Sequence, residues 1–224
     1  MQGNHPSLAS ISARTLAHYE RSARAFAEGT RAHDVSQNYA ALLDAVEGPA
    51  PFTLLDFGCG PGRDLAHFKA LGHVAVGLDG CACFVEMARA ATQCEVLHQD
   101  FLALNLPQAR FHGVFANASL FHVPTPALPS VLRALHGTLR ERGVLFCSNP
   151  WGADTEGFVA ERYGAFHARE TWQAYVAGAG FRELGHYYRP SGKPRHEQPW
   201  LASVWRKLER AEVAAPSERG PKEG

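Results

Sequence analysis

The stretch Leu54-Leu55-Asp56-Phe57-Gly58-Cys59-Gly60-Pro61-Gly62-Arg63-Asp64 decides the fold of this chain. Its apolar beginning predicts a buried strand that ends at Asp56. Three glycines at every second position then predict a turn, because glycine tolerates positive φ and lets another molecule approach the main chain closely. Apolar residues at helical spacing follow and predict a helix that ends near Gly72. This order of strand, glycine turn and helix predicts a cofactor bound at a helix N-terminus.

The spacing of the glycines distinguishes two classes of cofactor. A dinucleotide fingerprint has the pattern G-x-G-x-x-G, and its third glycine allows the helix to pack closely on the strand. Counting from Gly58, that position is Arg63, whose side chain would obstruct the packing. A carboxylate at Asp56 would repel a pyrophosphate, but it suits a ligand that carries an ammonium group and a sulfonium. The stretch from Asp56 to Gly62 resembles motif I of class I S-adenosylmethionine-dependent methyltransferases, and an NAD-dependent oxidoreductase is the alternative enzyme.

Composition limits the function classes. The chain has 224 residues, of which 46% are hydrophobic and 20% charged, as is typical of one soluble domain. Lys plus Arg and Asp plus Glu both total 22, so no net field favours nucleic acid or a membrane surface. Five cysteines without a C-x-x-C pair favour a reduced, cytoplasmic protein and no metal site. The Pro-, Gly-, Glu- and Lys-rich residues 211–224 predict a disordered tail.

The order of predicted elements indicates the fold class. Helices are predicted at Ser12–Arg31 and roughly Ser36–Val46, and strands alternate with helices after Phe52. Such alternation predicts a parallel sheet covered on both faces. The last two strands are too close in sequence for a parallel crossover, so they form an antiparallel hairpin. We expect one α/β domain over residues 1–210, with a helical lid at 11–47 and a Rossmann-like core at 52–207. The core is a doubly wound, mostly parallel seven-stranded sheet, for which the resemblance implies the order 3-2-1-4-5-7-6.

Polar residues end the predicted strands, where ligands bind in open α/β sheets. Asp79 lies 21 positions after Gly58, where an acid can accept hydrogen bonds from both ribose hydroxyls. The alternative is that Asp79 caps the following helix. The resemblance implies that Asp100 binds the adenine amino group while Phe101 packs on the ring. The alternative there is a loop carboxylate followed by a core phenylalanine.

The same resemblance implies the rest of the cofactor site. Asn117 is expected near the sulfonium, and Arg63 is expected to reach the methionine carboxylate or to face solvent. The cofactor-binding residues implied are Asp56, Gly58, Cys59, Gly60, Arg63, Asp79, Gly80, Asp100, Phe101, Asn117, Ala118 and Ser119.

The segment Phe115-Ala116-Asn117-Ala118-Ser119-Leu120-Phe121-His122-Val123-Pro124 resembles a bacterial subgroup of small-molecule methyltransferases. The resemblance covers roughly Tyr19 to Lys207, with departures at Pro61 and Gly80. It implies methyl transfer from S-adenosylmethionine to a small-molecule acceptor by in-line displacement, leaving S-adenosylhomocysteine. A monomer or homodimer without nucleic-acid or membrane partners is expected. A cofactor-binding protein of the same fold without catalysis is the alternative.

Two residues are candidates for the chemistry itself. His122 follows the fourth strand and titrates near neutrality, so it is a candidate general base. The alternative is that it orders its loop by hydrogen bonding. Tyr19 is the polar-tipped member of an apolar stripe on the first helix, and we predict that it faces the transferred methyl group from the lid. The alternative places the N-terminal helices on the outer face of the sheet. Tyr19 and Trp151 are predicted walls of the acceptor pocket.

One further motif is set aside. Asn149-Pro150-Trp151 is similar to a signature of enzymes that methylate amide or nucleobase nitrogens. In those enzymes the signature follows the fourth strand, whereas here it follows the fifth. It therefore does not predict that activity.

Overall fold

The structure is a computed structural model that describes residues 6–209, so the predicted tail at 211–224 lies outside the described residues. Six α-helices are formed within that range: α1 (Leu8–Thr30), α2 (Ser36–Leu43), α3 (Arg63–Ala70), α4 (Ala82–Thr92), α5 (Leu128–Thr138) and α6 (Arg169–Gly178). The same range contains nine strands: β1 (Thr53–Phe57), β2 (Val74–Asp79), β3 (Glu95–His98), β4 (Phe111–Asn117), β5 (Leu139–Pro150), β6 (Thr155–Val159), β7 (Arg162–Phe166), β8 (Phe181–Arg189) and β9 (Trp200–Lys207).

Seven of these strands form one sheet in the order β3-β2-β1-β4-β5-β9-β8. The pairs among β1 to β5 are parallel, whereas β9 pairs antiparallel with both β5 and β8. The predicted Rossmann-like sheet with an antiparallel C-terminal hairpin is therefore confirmed. Its last two strands are the eighth and ninth of the chain because β6 and β7 form an additional two-stranded sheet.

That additional hairpin was not predicted from the sequence. Two-residue hairpin loops are usually recognised by glycine or asparagine at positions of positive φ. Here the loop is Ala160-Glu161, and Ala160 itself adopts a φ of 56°. The hairpin therefore forms without the residues that normally reveal one.

The core lies on both faces of the large sheet because strand side chains alternate between faces. Val114 packs with Leu132 and Leu135 of α5, whereas its neighbour Phe115 packs on the other face with Phe68 of α3. Leu42 of α2 belongs to this second layer and has no solvent exposure. Thus α2 lies against a face of the sheet.

Helix α1 begins at Leu8, earlier than the predicted Ser12, because Ser7 caps it by accepting a hydrogen bond from the Ser10 amide at 3.2 Å. No helix within residues 6–209 is both long enough and apolar enough to cross a membrane.

Candidate active site

A cavity lies between α1 and the carboxyl ends of β1, β2, β3 and β4. It is larger than a second cavity beside Trp151. Helix α1 supplies one wall, and the turns after the four strands, with Phe84 of α4, supply the other. Its lining residues are Ser12, Thr15, Leu16, Tyr19, Phe26, Gly58, Gly60, Asp79, Gly80, Phe84, Asp100, Phe101, Leu102, Ala118, Ser119 and His122.

The glycine turn shapes the floor of this cavity. A Cβ at Gly58 would lie 2.4 Å from the Cβ of Ser119, and one at Gly62 would lie 2.9 Å from the Cα of Ala88. These two glycines are therefore needed for the turn to pack against its neighbours. A Cβ at Gly60 would meet only Phe26, at 3.8 Å, so this glycine leaves room in the cavity itself.

Asp79 holds the turn in place from the end of β2. Its Oδ2 accepts a hydrogen bond from the Gly60 amide at 2.9 Å, and its Oδ1 accepts one from the Cys81 amide at 2.9 Å. Burial raises the pKa of Asp79, and the hydrogen bonds from the two amides lower it in part. A carboxylate has about four acceptor positions, so Asp79 can still accept from ligand hydroxyls. Next to it, Leu16 of α1 covers Gly80, where an added Cβ would lie 2.8 Å from the leucine.

Asp56 is a buried carboxylate with an oxygen that has no partner. Its side chain is only 2% exposed, and Oδ2 makes no hydrogen bond within the described chain. Burial raises the pKa of Asp56 well above its usual value, and the neighbouring Asp64 carboxylate adds to this effect. Such a group is costly unless a cation or a donor approaches it. Ser119 Oγ, at the wall of the cavity, is likewise without a partner. Asp56 lies outside the cavity lining, so of these two residues only Ser119 borders the cavity, where a ligand that donates a hydrogen bond would fit it.

Asp100 and Phe101 lie together at another part of the cavity wall. Asp100 accepts hydrogen bonds from the Ser12 hydroxyl at 2.7 Å and from the Leu102 amide at 2.9 Å. The Phe101 ring stacks on Phe57, with ring centroids 4.2 Å apart. Both residues therefore have structural contacts and also line the cavity.

Arg63 lies outside the cavity lining and is bound within the protein. Its Nε and Nη2 donate to the two oxygens of Asp64 at 2.6 and 2.9 Å, and Nη1 donates to the Thr30 carbonyl at 3.0 Å. Its side chain is 26% exposed, so it is not simply solvent-facing. Sequence reasoning did not anticipate Asp64 as its partner, although the two residues are adjacent.

Asn117 belongs to the same polar network and not to the cavity lining. Its Nδ2 donates to Asp64 at 3.4 Å, and its Oδ1 accepts from Asn38 of α2 at 2.9 Å. Tyr39, also of α2, donates to Asp64 at 2.5 Å. The network thus joins α2 to β4 and to the start of α3.

The remaining predicted residues differ in their positions. Ala118 lines the cavity with a φ of 58°, and its amide donates to the Ser148 carbonyl at 2.8 Å. Cys59 is buried beneath the turn, where burial raises the pKa of its thiol. Trp151 lines the second cavity, and its indole donates to the Gln198 carbonyl at 2.9 Å.

Tyr19 and His122 meet inside the larger cavity, as the sequence alone could not show. The phenol oxygen lies 2.8 Å from His122 Nε2, and His122 Nδ1 lies 2.6 Å from the Tyr163 carbonyl. A carbonyl only accepts, so Nδ1 carries the proton and Nε2 accepts from the phenol. Burial lowers the pKa of His122 to about 4, with Arg162 and His18 acting in the same direction. Burial also raises the pKa of Tyr19, so the pair is neutral at pH 7.

Comparison with known proteins identifies the domain. The family model described as "Methyltransferase domain" matches residues 54–143, from β1 to the beginning of β5. No curated protein matches the sequence.

Three solved structures are similar to the fold. 1,6-Didemethyltoxoflavin-N1-methyltransferase from Burkholderia thailandensis, solved with 1,6-didemethyltoxoflavin and S-adenosylhomocysteine, is 21% identical, with a TM-score of 0.70 over 93% of this chain and 94% of that one. An S-adenosylmethionine-dependent methyltransferase from Mesorhizobium loti is 16% identical, with a TM-score of 0.64 over 76% and 97%. The [4+2]-cyclase SpnF is 14% identical, with a TM-score of 0.70 over 91% and 97%.

The family match falls on the segment that contains the glycine turn, Asp79, Asp100 and the strand-four end, and the solved structures share the fold. Residues 54–143 therefore match the methyltransferase domain family, and the chain has the fold of S-adenosylmethionine-dependent methyltransferases, which supports S-adenosylmethionine as the cofactor.

Proposed function

We propose that this protein transfers the methyl group of S-adenosylmethionine to a small-molecule acceptor by in-line displacement, within the cavity beneath α1. The observation that carries the proposal is that one cavity is lined by Asp79 and Asp100 together with the Tyr19–His122 pair. Groups suited to hold the cofactor and groups suited to meet an acceptor thus share one space. The cover provided by α1 favours an acceptor small enough to be enclosed with the cofactor. The methyltransferase from Burkholderia thailandensis, whose structure contains 1,6-didemethyltoxoflavin, supports a small-molecule acceptor.

In this proposal each wall of the cavity holds one part of the cofactor. Asp79 accepts hydrogen bonds from the ribose hydroxyls, Asp100 accepts one from the adenine amino group, and Phe101 packs on the adenine ring. We assign the ammonium group to Asp56, which lies outside the cavity lining and whose unpartnered buried oxygen would gain a partner. Among the other predicted ligands, Gly58 and Gly60 shape the turn, whereas Arg63 and Asn117 belong to the polar network around Asp64. When bound, the cofactor supplies a methyl group that is already electrophilic.

The protein then has to orient the acceptor and exclude water. A pKa of about 4 makes His122 a weak base at neutral pH, because effective general bases have pKa values near the working pH. We therefore assign His122 as a positioning residue that holds the Tyr19 phenol. Besides the lone pair that Arg162 engages, the phenol oxygen has a second one, which accepts a hydrogen bond from the acceptor and aims its nucleophilic atom.

A second candidate function is cofactor binding without methyl transfer. It is favoured by the similarity to SpnF, which is described as a [4+2]-cyclase although its fold matches this one. One fold supports many chemistries, so the fold itself does not decide between the two candidates.

Thermal unfolding and a transfer assay together test the proposal. A ligand at 100 times its dissociation constant adds about 2.7 kcal/mol of stability. At roughly 2–4 °C per kcal/mol for a chain of this length, S-adenosylhomocysteine should raise the melting temperature by about 5–10 °C. NAD and NADP are the controls, and stabilisation by either of them alone would refute the proposal.

The transfer assay identifies the class of acceptor. The protein is incubated with methyl-labelled S-adenosylmethionine and a bacterial cell extract, and ultrafiltration then separates small molecules from macromolecules. We expect label in the small-molecule fraction. Label only in the macromolecular fraction would contradict a small acceptor, and no transfer by a protein that binds S-adenosylhomocysteine would favour the second candidate.

A further inference from the structure

Arg162, the first residue of β7, lies beside the Tyr19–His122 pair. Its guanidinium carbon is 5.9 Å from the centroid of the Tyr19 ring. Burial raises the pKa of Tyr19, and a hydrogen bond between the Arg162 side chain and the phenol opposes that rise. Arg162 is exposed, whereas Tyr19 lines the larger cavity. The guanidinium therefore lies between the cavity lining and solvent.

The β6–β7 hairpin holds Arg162 in this position through contacts of both neighbouring residues. The Tyr163 amide donates to Thr15 of α1 at 3.1 Å, and the Tyr163 carbonyl accepts from His122 Nδ1 at 2.6 Å. On the other side, Glu161 accepts a hydrogen bond from Arg21 of α1. Because its neighbours on both sides are bound, the backbone of Arg162 is fixed against α1.

Arg162 carries a positive charge that no carboxylate within residues 6–209 pairs with. The adjacent carboxylate, Glu161, is already bound by Arg21 and lies 3.7 Å from His18 Nδ1. No ion pair formed in that range of residues includes Arg162. A guanidinium has five N–H donors, so donors remain for a ligand after the bond to Tyr19.

The larger cavity has a charge distribution in which this cation matters. Its charged lining residues are Asp79 and Asp100, and none of the described residues that line it is a lysine or an arginine. These carboxylates would repel an anionic acceptor unless a cation offset them. Arg162 is such a cation, and it lies on the hairpin side, whereas Asp79 ends β2 and Asp100 follows β3.

The Tyr19 phenol connects Arg162 to the acceptor. Since the phenol oxygen bonds the guanidinium and is assigned to aim the acceptor, an acceptor bound to that oxygen lies next to Arg162. We propose that the methyl acceptor is an anion whose carboxylate is bound by the Arg162 guanidinium, while a separate nucleophilic atom faces the methyl group. The planar fork of arginine matches the two oxygens of a carboxylate. This inference rests on the proposed function, and it names the class of acceptor.

Acceptors sorted by charge test the inference on the unaltered protein. The small-molecule fraction of a bacterial extract is passed over an anion exchanger at pH 7. The retained and the unretained molecules are then incubated separately with the protein and methyl-labelled S-adenosylmethionine. We expect incorporation of label mainly with the retained molecules, and prior treatment of these with a phosphatase should not reduce it.

The outcomes of this experiment separate the inference from the proposed function. Incorporation mainly with the unretained molecules would overturn the inference and leave the proposed function intact. Loss of incorporation after phosphatase treatment would also overturn it, because the recognised group would then be a phosphate. Incorporation with neither set would refute the proposed function, and the inference with it.

Two matched variants test whether the effect belongs to Arg162. Arg162→Gln removes the charge, so the initial rate with limiting amounts of the retained molecules should fall about tenfold, at the low end for charged hydrogen bonds because the guanidinium is exposed. Arg14→Gln removes a positive charge from α1 beside the same hairpin, where the Arg14 guanidinium lies 4.2 Å from the centroid of the Phe158 ring. This control should stay within about twofold. Equal losses in the two variants would overturn the inference.

Salt and cofactor affinity distinguish acceptor binding from two other roles of Arg162. Raising the concentration of NaCl should slow the unaltered protein and hardly affect Arg162→Gln, since salt screens an exposed ion pair. If Arg162 only supported Tyr19, both proteins would respond alike, which would overturn the inference. Calorimetry should give an affinity for S-adenosylhomocysteine within about twofold in Arg162→Gln. A tenfold loss would assign Arg162 to the carboxylate of the cofactor and would likewise overturn it.

Discussion

The phenol of Tyr19 donates a hydrogen bond to Nε2 of His122 at 2.8 Å, although the two residues are 103 positions apart. The opposite nitrogen of the same ring donates to the Tyr163 carbonyl at 2.6 Å. One imidazole thus connects α1, the turn after β4 and the β6–β7 hairpin. Since each of its nitrogens has one defined role, the arrangement requires His122 to be neutral.

The first prediction follows from that neutrality. The pKa of His122 is about 4 in the folded protein and about 6.5 in the unfolded chain, so between these values only the unfolded chain binds the proton. The free energy of unfolding should therefore fall as the pH falls from about 6.5 to about 4, by at most roughly 3 kcal/mol. Urea unfolding at a series of pH values measures this slope. His122→Asn, which does not titrate, should flatten it, and parallel curves for the two proteins would contradict the assignment.

The same variant separates a positioning role from a general-base role. His122 is neutral throughout the working range and does not titrate there. The pH profiles of kcat/KM for the unaltered protein and for His122→Asn should therefore have the same shape near neutrality. A rise that the variant abolishes would establish His122 as the base.

The second prediction concerns the room at Gly60. Gly60 has a φ of 52°, and Gly72 has a φ of 84° with nothing near an added Cβ. Gly60→Ala and Gly72→Ala should each cost about 1–2 kcal/mol in unfolding free energy, because alanine is strained at positive φ. Only Gly60→Ala places a methyl group in the larger cavity. Only this variant should therefore bind S-adenosylhomocysteine more weakly, by about tenfold or more in affinity. Calorimetry on both variants checks this, and equal affinities would place the cofactor elsewhere.

Much of this site could be predicted from local sequence signals. The apolar run before Asp56 and the glycines after it define β1, the turn and α3 almost to the residue. Asp79 ends β2 and Asp100 follows β3, and the carboxyl ends of neighbouring parallel strands meet at one edge of the sheet. Both residues line the larger cavity for that reason.

Contacts between distant parts of the chain were not predictable in this way. Arg63 is bound to Asp64, which in turn accepts from Tyr39, 25 residues earlier, and no local pattern encodes that approach. The β6–β7 hairpin turns at Ala160 without glycine, and its second strand begins at Arg162. The position of Arg162 beside Tyr19 therefore depends on a segment whose structure the sequence did not reveal.

The third prediction concerns the two roles of Asp79. Asp79→Asn places an amide NH₂ against either the Gly60 or the Cys81 amide, so one backbone donor loses its acceptor. The expected cost is about 1–3 kcal/mol in unfolding free energy. Loss of the charge should also reduce the affinity for S-adenosylhomocysteine about tenfold or more, since hydrogen bonds to charged groups contribute about 1.5–3 kcal/mol each. Asp44→Asn, at an exposed position, is the matched control and should change neither quantity. Unchanged affinity in a folded Asp79→Asn variant would exclude ribose binding by this residue.

The last prediction is that the N-terminal helices form a lid whose order depends on the cofactor. Helix α1 lines the larger cavity with Leu16 and Tyr19, and the Tyr163 amide donates to Thr15 of α1 at 3.1 Å. Helix α2 packs on the sheet through Leu42. A ligand between α1 and the strand ends would add contacts to α1, so binding of S-adenosylhomocysteine should slow hydrogen exchange across residues 16–39, and most strongly in α1.

Tyr19→Phe tests the contact that holds the lid. It leaves His122 Nε2 without its donor, which should cost about 1–3 kcal/mol. The lost hydrogen bond is one that attaches α1 to the rest of the protein. Hydrogen exchange in α1 should therefore be faster in the ligand-free variant than in the ligand-free unaltered protein. Tyr187→Phe is the matched control, since it removes a phenol that donates to Asn38 at 2.9 Å, away from the larger cavity, and should leave α1 unchanged. Protection confined to residues 58–62 on binding, with α1 unaffected by ligand and by Tyr19→Phe, would show that α1 is a fixed wall and not a lid.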